Sequence, residues 1–202
     1  MRMPSTEQLD ELKRRYSEPQ RHYHTWKHIE ALLWHLDGIS DQLNDSDAVL
    51  WALYWHDAIY DPQASDNEDK SADLLSEMAG TDLPNPSLRR ADRIIRATKQ
   101  HLVPDGLTRD EQSDLELFLD IDLSILAAAS DVFDRYETHI RNEYAFVPKA
   151  VYVQARSAIL QGFLKRERLY FSDHFYSQWE TRARANLQRS IDQLNKQESN
   201  HD

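Results

Sequence analysis

The chain has 202 residues, no cysteine and a formal net charge of −11. Those three facts exclude disulfides, thiolate metal sites and a cysteine nucleophile, and they oppose non-specific attraction to nucleic acid polymers or anionic membranes. With 40% hydrophobic residues and only four glycines, the composition favours helices over a sheet sandwich or a glycine-rich nucleotide fold, and the length suits one domain with a sizeable core.

The predicted elements follow from capping residues and hydrophobic period. Ser5 with Gln8 reads as a capping box that opens a helix ending near Tyr16. Ser17-Glu18-Pro19-Gln20 breaks the chain, and a second helix is expected from about His24 to Gly38, with Ile29, Leu32, Leu33 and Leu36 as its buried stripe. A third starts at Asp45 or Ser46. Its residues 48 to 55 are apolar without interruption, which places it at the centre of a bundle. The chain then meets His56-Asp57 and stops near Asp61-Pro62. Ser65 with Glu68 is expected to cap a fourth helix ending at Gly80, and Ser87 a fifth reaching His101. Thr108 with Glu111 makes a further capping box, opening a sixth helix through Leu126. The last helices are expected at about 130–145, 148–166 and 176–194, with a frayed end beyond. No segment shows strand alternation. The fold class is therefore all-α, a single-domain helical bundle, with a core at about 20–127 and C-terminal helices at about 130–195 packing on it.

Three segments carry chemistry. His56-Asp57 terminates the most hydrophobic helix, where a buried carboxylate needs a cation or a donor nearby. By itself the pair also fits an Asp57 that has reached the helix end and faces water. The second helix adds His24, His28 and His35 along one face, and His28 adjoins the stripe of Leu32 and Leu36, so its ring can enter the core. His35 reads as structural. In the segment 115–129, Asp120 aligns with Glu116 and Ser124 on a polar stripe, and Asp122 with Leu115, Phe118, Leu119, Ile125 and Leu126 on the apolar one. Asp122 is thus the carboxylate expected in the core. Two imidazoles and two carboxylates form a ligand set suited to one divalent metal ion, Mn, Fe, Co, Ni or Zn, with Mg also compatible.

The order His28, His56-Asp57, Asp122 resembles the HD-domain superfamily, and most closely its bacterial branch of metal-dependent phosphohydrolases of about this length. The segments that carry the likeness are RHYHTWKHI (21–29), YWHDAIYDP (54–62), DNEDKSA (66–72), ATKQH (97–101), FLDIDLSIL (118–126), IRNEYAFVP (140–148) and the stretch from Arg156 to Leu187. The resemblance implies a central metal held by His28, His56, Asp57 and Asp122. It also implies hydrolysis of a phosphoester or phosphoanhydride in a small phosphorylated molecule of nucleotide type, with the metal activating water. On that reading Asp57 is a ligand at the catalytic centre, and Glu68 or Asp61 could orient the attacking water. Glu68 is equally explained as the partner of Ser65 in a cap. Arg21, His24, Lys27, Lys99 and His101 are the candidate substrate contacts.

Two other classes stand beside this one. An HD-type di-iron oxygenase needs further histidines after the doublet, and none lies between Asp57 and His101. A non-catalytic metal-containing module could use the aromatic segment Tyr170, Phe171, Phe175, Tyr176 and Trp179 as an interface, although these fit a core stripe more simply. Without a leader-like or membrane-spanning apolar run, the expectation is a cytoplasmic protein, with a homodimer allowed.

Overall fold

A computed structural model describes residues 1–199, with side chains through Lys196. Among the described residues the regular structure is helical throughout, with no strand. No helix there is long and apolar enough to cross a membrane. The chain divides into two compact units, residues 1–121 and the part from Asp122 onward. The division falls one residue before the end of a helix, not near residue 130.

In the first unit, α1 (Thr6–Arg15) starts at the expected capping box: Gln8 N–H donates to Ser5 Oγ, and Ser5 N–H donates to Gln8 Oε1. α2 (Trp26–Asp37) begins two residues later than expected, and its buried face is His28, Ile29, Leu32 and Leu36. α3 (Ser46–Trp55) is capped by Asp45 and buries every residue from Ala48 to Trp55, as an element without a polar face must. The carboxylate of Asp114 also receives the N–H groups of Asn44 and Asp45, both at 2.8 Å, which anchors the entry to α3. Trp51 and Trp55 stack within α3, with ring centroids 5.0 Å apart. α3 packs against α2, α4 (Asn67–Ala79) and α5 (Asn85–Thr98), and α4 packs against α5.

Two expected caps are corrected. α4 is preceded by Asp66, and neither Ser65 nor Glu68 forms the reciprocal box, because the helix begins one residue beyond the position where Ser65 could close it. α5 starts at Asn85, with Pro84 as its cap residue and Pro86 in the first turn, and Ser87 lies inside the helix. Proline has its torsion already set for a first turn and lacks only an N–H that would be unpaired there. α5 also ends earlier than expected. His101 lies beyond it with a left-handed φ of 49°. α6 (Arg109–Asp122) opens on the expected Thr108–Glu111 box. It tightens into a 3-10 segment at Leu123–Ala127 instead of running on as α-helix to Leu126.

The second unit holds that 3-10 segment with α7 (Ser130–Glu143), α8 (Lys149–Leu164) and α9 (Asp173–Ser199). α9 packs on α7, α8 and the 3-10 segment. It stays helical through Ser199, where fraying was expected from residue 196; residues 200–202 lie outside the described part. Tyr170, Phe175 and Trp179 are buried, which favours the core stripe over an interface, while Tyr176 is partly exposed with the Arg168 guanidinium over its ring. Glu180 accepts the N–H groups of Leu169 and Tyr170 and an ion pair from Arg184, and so holds the turn before α9.

Candidate metal centre

His28 comes from the buried face of α2 and His56 is the C-cap residue of α3. Their Nε2 atoms are 3.2 Å apart, and both residues are buried, 6% and 1% exposed. Nδ1 of His56 lies 2.9 Å from the carbonyl oxygen of Leu53. A carbonyl only accepts, so Nδ1 carries the proton and the other ring nitrogen is left for a ligand. This is the arrangement that orients metal-binding histidines. Phe118 closes the side of the ring, with its centroid 5.8 Å from that of His56.

Asp122 completes the group. It is the last residue of α6, a helix that otherwise lies wholly in the first unit. One ligand atom each from His28, His56 and Asp122 lie within 4.8 Å of one another, so the three residues could hold a metal ion. Asp57 flanks them: its Oδ2 is 3.1 Å from His56 Nε2 and 4.0 Å from His28 Nε2. Burial by itself would raise the Asp57 carboxyl, but the imidazoles of His56, His24 and His28 outweigh it and hold the group well below the ordinary carboxylate range. Two nitrogens and carboxylate oxygen converging in a buried place form a mixed hard and borderline donor set, which fits a divalent cation.

The surroundings sort the other candidates. His24 is half-buried ahead of α2, with its ring 4.4 Å from that of Tyr60 and 6.2 Å from that of His28, so it does border the centre. Lys27 is exposed on α2. Arg21 is not a free substrate contact. Its side chain is fully buried and donates to the carbonyls of His24, Asp57 and Ala58. Asp61 is exposed and accepts the N–H of Gln63, a turn contact that accounts for it. Lys99 is ion-paired with Asp69 at 3.1 Å, within a surface network that includes Arg96, Asp73 and Asp92. Glu68 is half-buried in the first turn of α4, and among the described residues no hydrogen bond or ion pair holds its carboxylate.

The expectation for Asp120 is corrected. It is fully buried, more so than Asp122. Residues 117 to 123 are all buried, so the end of α6 has no solvent-facing side for a polar stripe to occupy. Sequence reasoning also missed Tyr16, Tyr23 and Tyr60, whose rings surround Arg21, His24 and His28. The tyrosines flanking the two histidine segments were the available signal. No protein family, no curated protein and no solved structure matches the chain.

Proposed function

We propose that this chain is a metal-dependent phosphohydrolase of the HD type, acting on a small phosphorylated molecule of nucleotide kind. The observation that carries the reading is the convergence of His28, His56 and Asp122 within 4.8 Å, with the His56 ring fixed from behind by Leu53. His28, His56 and Asp122, with Asp57 beside them, would hold one divalent cation. Bound there, such a cation supplies a water of lowered pKa and neutralises charge on phosphate oxygens.

The remaining work falls to the residues. Asp57, kept ionised among three imidazoles, holds the positive charge of the centre in place. Glu68, whose carboxylate has no hydrogen bond or ion pair among the described residues, would be available to accept a proton from the attacking water. His24 and Lys27, before and on α2, would offer donors to substrate oxygens.

The test is metal analysis of the purified chain, followed by turnover assays with Mn, Co, Ni and Mg on nucleoside mono-, di- and triphosphates and generic phosphoesters. About one metal per chain and hydrolysis lost in the stripped protein and in Asp57→Ala are expected. Full activity in either of those two samples refutes the reading. Tight nucleotide binding without turnover across the panel would instead favour a non-catalytic module.

A further inference from the structure

Arg21 is an unusual charge to find in a core. Its side chain is 0% exposed, and its one acidic partner among the described residues, Glu18, is 3.3 Å away and partly open to solvent. The guanidinium lies over the rings of Tyr16, at 4.9 Å, and Tyr60, at 5.3 Å. Its remaining hydrogen bonds all go to backbone carbonyls: Asp57 at 2.8 Å, and His24 and Ala58 at 3.1 Å each.

Those carbonyls have a common meaning. α3 ends at Trp55, so the C=O groups of Asp57 and Ala58 lie just past a helix terminus, where intrahelical donors have run out. His24 belongs to the segment that leads into α2, the helix that bears His28. One planar fork of donors therefore ties the start of α2 to the end of α3. Gln20 adds a parallel tie, donating to the carbonyl of Tyr60 at 3.0 Å. Tyr16 adds another through its hydroxyl, which donates to the carbonyl of Tyr54 and accepts the N–H of Asp57.

We propose that Arg21 is a positioning residue that sets the separation of His28 from the His56-Asp57 doublet, and so the affinity of the centre for its cation. The inference rests on the reading above that these residues hold a divalent ion. A lysine keeps the charge but concentrates its donors on one nitrogen, and cannot reach three separated carbonyls as a guanidinium does.

The experiment titrates Co²⁺ into the metal-free full chain, followed by calorimetry and by the visible absorption of the bound ion. Arg21→Lys is expected to weaken Co²⁺ binding about 10- to 100-fold, the range seen when groups supporting metal ligands are removed, and to change the absorption band. Leu12→Ala, a core truncation in α1, is the stability control: it should lower the melting temperature while leaving affinity and spectrum alone. Glu18→Gln neutralises the partly exposed carboxylate that receives both Arg21 and Gln20, leaves the carbonyl contacts of Arg21 in place, and should weaken binding a few-fold. A folded Arg21→Lys with wild-type affinity and spectrum overturns the proposal. Should Arg21→Lys fail to fold, Glu18→Gln decides, and unchanged Co²⁺ affinity there overturns it equally. Failure of the wild-type chain to bind Co²⁺ at all strikes the metal reading itself, and is seen before any variant is made.

Discussion

His56 meets an oxygen acceptor on each ring nitrogen: Nδ1 meets the carbonyl of Leu53 at 2.9 Å, and Nε2 meets the Oδ2 of Asp57 at 3.1 Å. Nδ1 must be a donor. Nε2 then bears a proton that Asp57 accepts, or a lone pair that a cation receives. Loading the centre with metal therefore releases protons, and affinity falls as pH is lowered because protons compete for the same atoms. Calorimetry of Mn²⁺ binding in buffers of different ionisation enthalpy should show that release. Nitrogen NMR of the chain loaded with diamagnetic Zn²⁺ should show that His56 keeps its Nδ1–H. Loss of that proton signal on loading would refute the orientation argued here.

Glu68 separates a chemical role from a structural one. Its carboxylate anchors nothing among the described residues, so Glu68→Gln should leave the melting temperature and metal content close to wild type. Turnover should drop by about 10²- to 10⁴-fold, as for loss of a general base. Asp61→Ala is the contrast, with turnover largely kept because that side chain serves the Gln63 turn. Equal turnover in Glu68→Gln and wild type would remove Glu68 from the reaction.

His35 gives the fold a pH dependence apart from the centre. Burial lowers its pKa from the ordinary 6.5. The unfolded chain then takes up a proton at higher pH than the folded chain does, so stability declines as pH falls from about 6.5 through the lowered folded value, and is unaffected well above 6.5. Denaturant midpoints measured across that window should slope less in His35→Gln than in the parent. Identical slopes would show that His35 titrates alike in both states.

Asp114 is expected to be the most sensitive polar position near α3. Truncation to Ala leaves the part-buried N–H groups of Asn44 and Asp45 without their acceptor. At about 0.5–1.5 kcal/mol for each hydrogen bond lost, Asp114→Ala should lose roughly 1–3 kcal/mol in equilibrium unfolding, and Asp114→Asn distinctly less. A loss under about 1 kcal/mol would mean that water replaces the carboxylate freely.

The helices of this chain were legible wherever side-chain chemistry closes them locally. Ser5–Gln8 and Thr108–Glu111 form the boxes that their spacing predicts. Ser65–Glu68 has the same spacing and forms none, since the backbone there is drawn into the Asp61–Asn67 turn, in which the Asn67 side chain bridges to Asp61. For the centre, periodicity found His28 and the apolar run found His56. Choosing Asp122 by excluding Asp120 from the core used a two-sided helix that does not exist, because α6 is enclosed all round where it ends. Arg21 was illegible for a different reason. Its partners are backbone carbonyls distant in sequence, and a carbonyl has no letter in a sequence.

α3 has no wet side: Val49, Trp51, Ala52, Leu53 and Trp55 are all fully enclosed. Its amide hydrogens should thus exchange with solvent only when the first unit opens as a whole, more slowly than those of the turns around Asp61 and His101. His56 hangs from the end of that slowest segment. Small breathing motions elsewhere in the chain would leave its imidazole where it stands, and only global unfolding would carry it away.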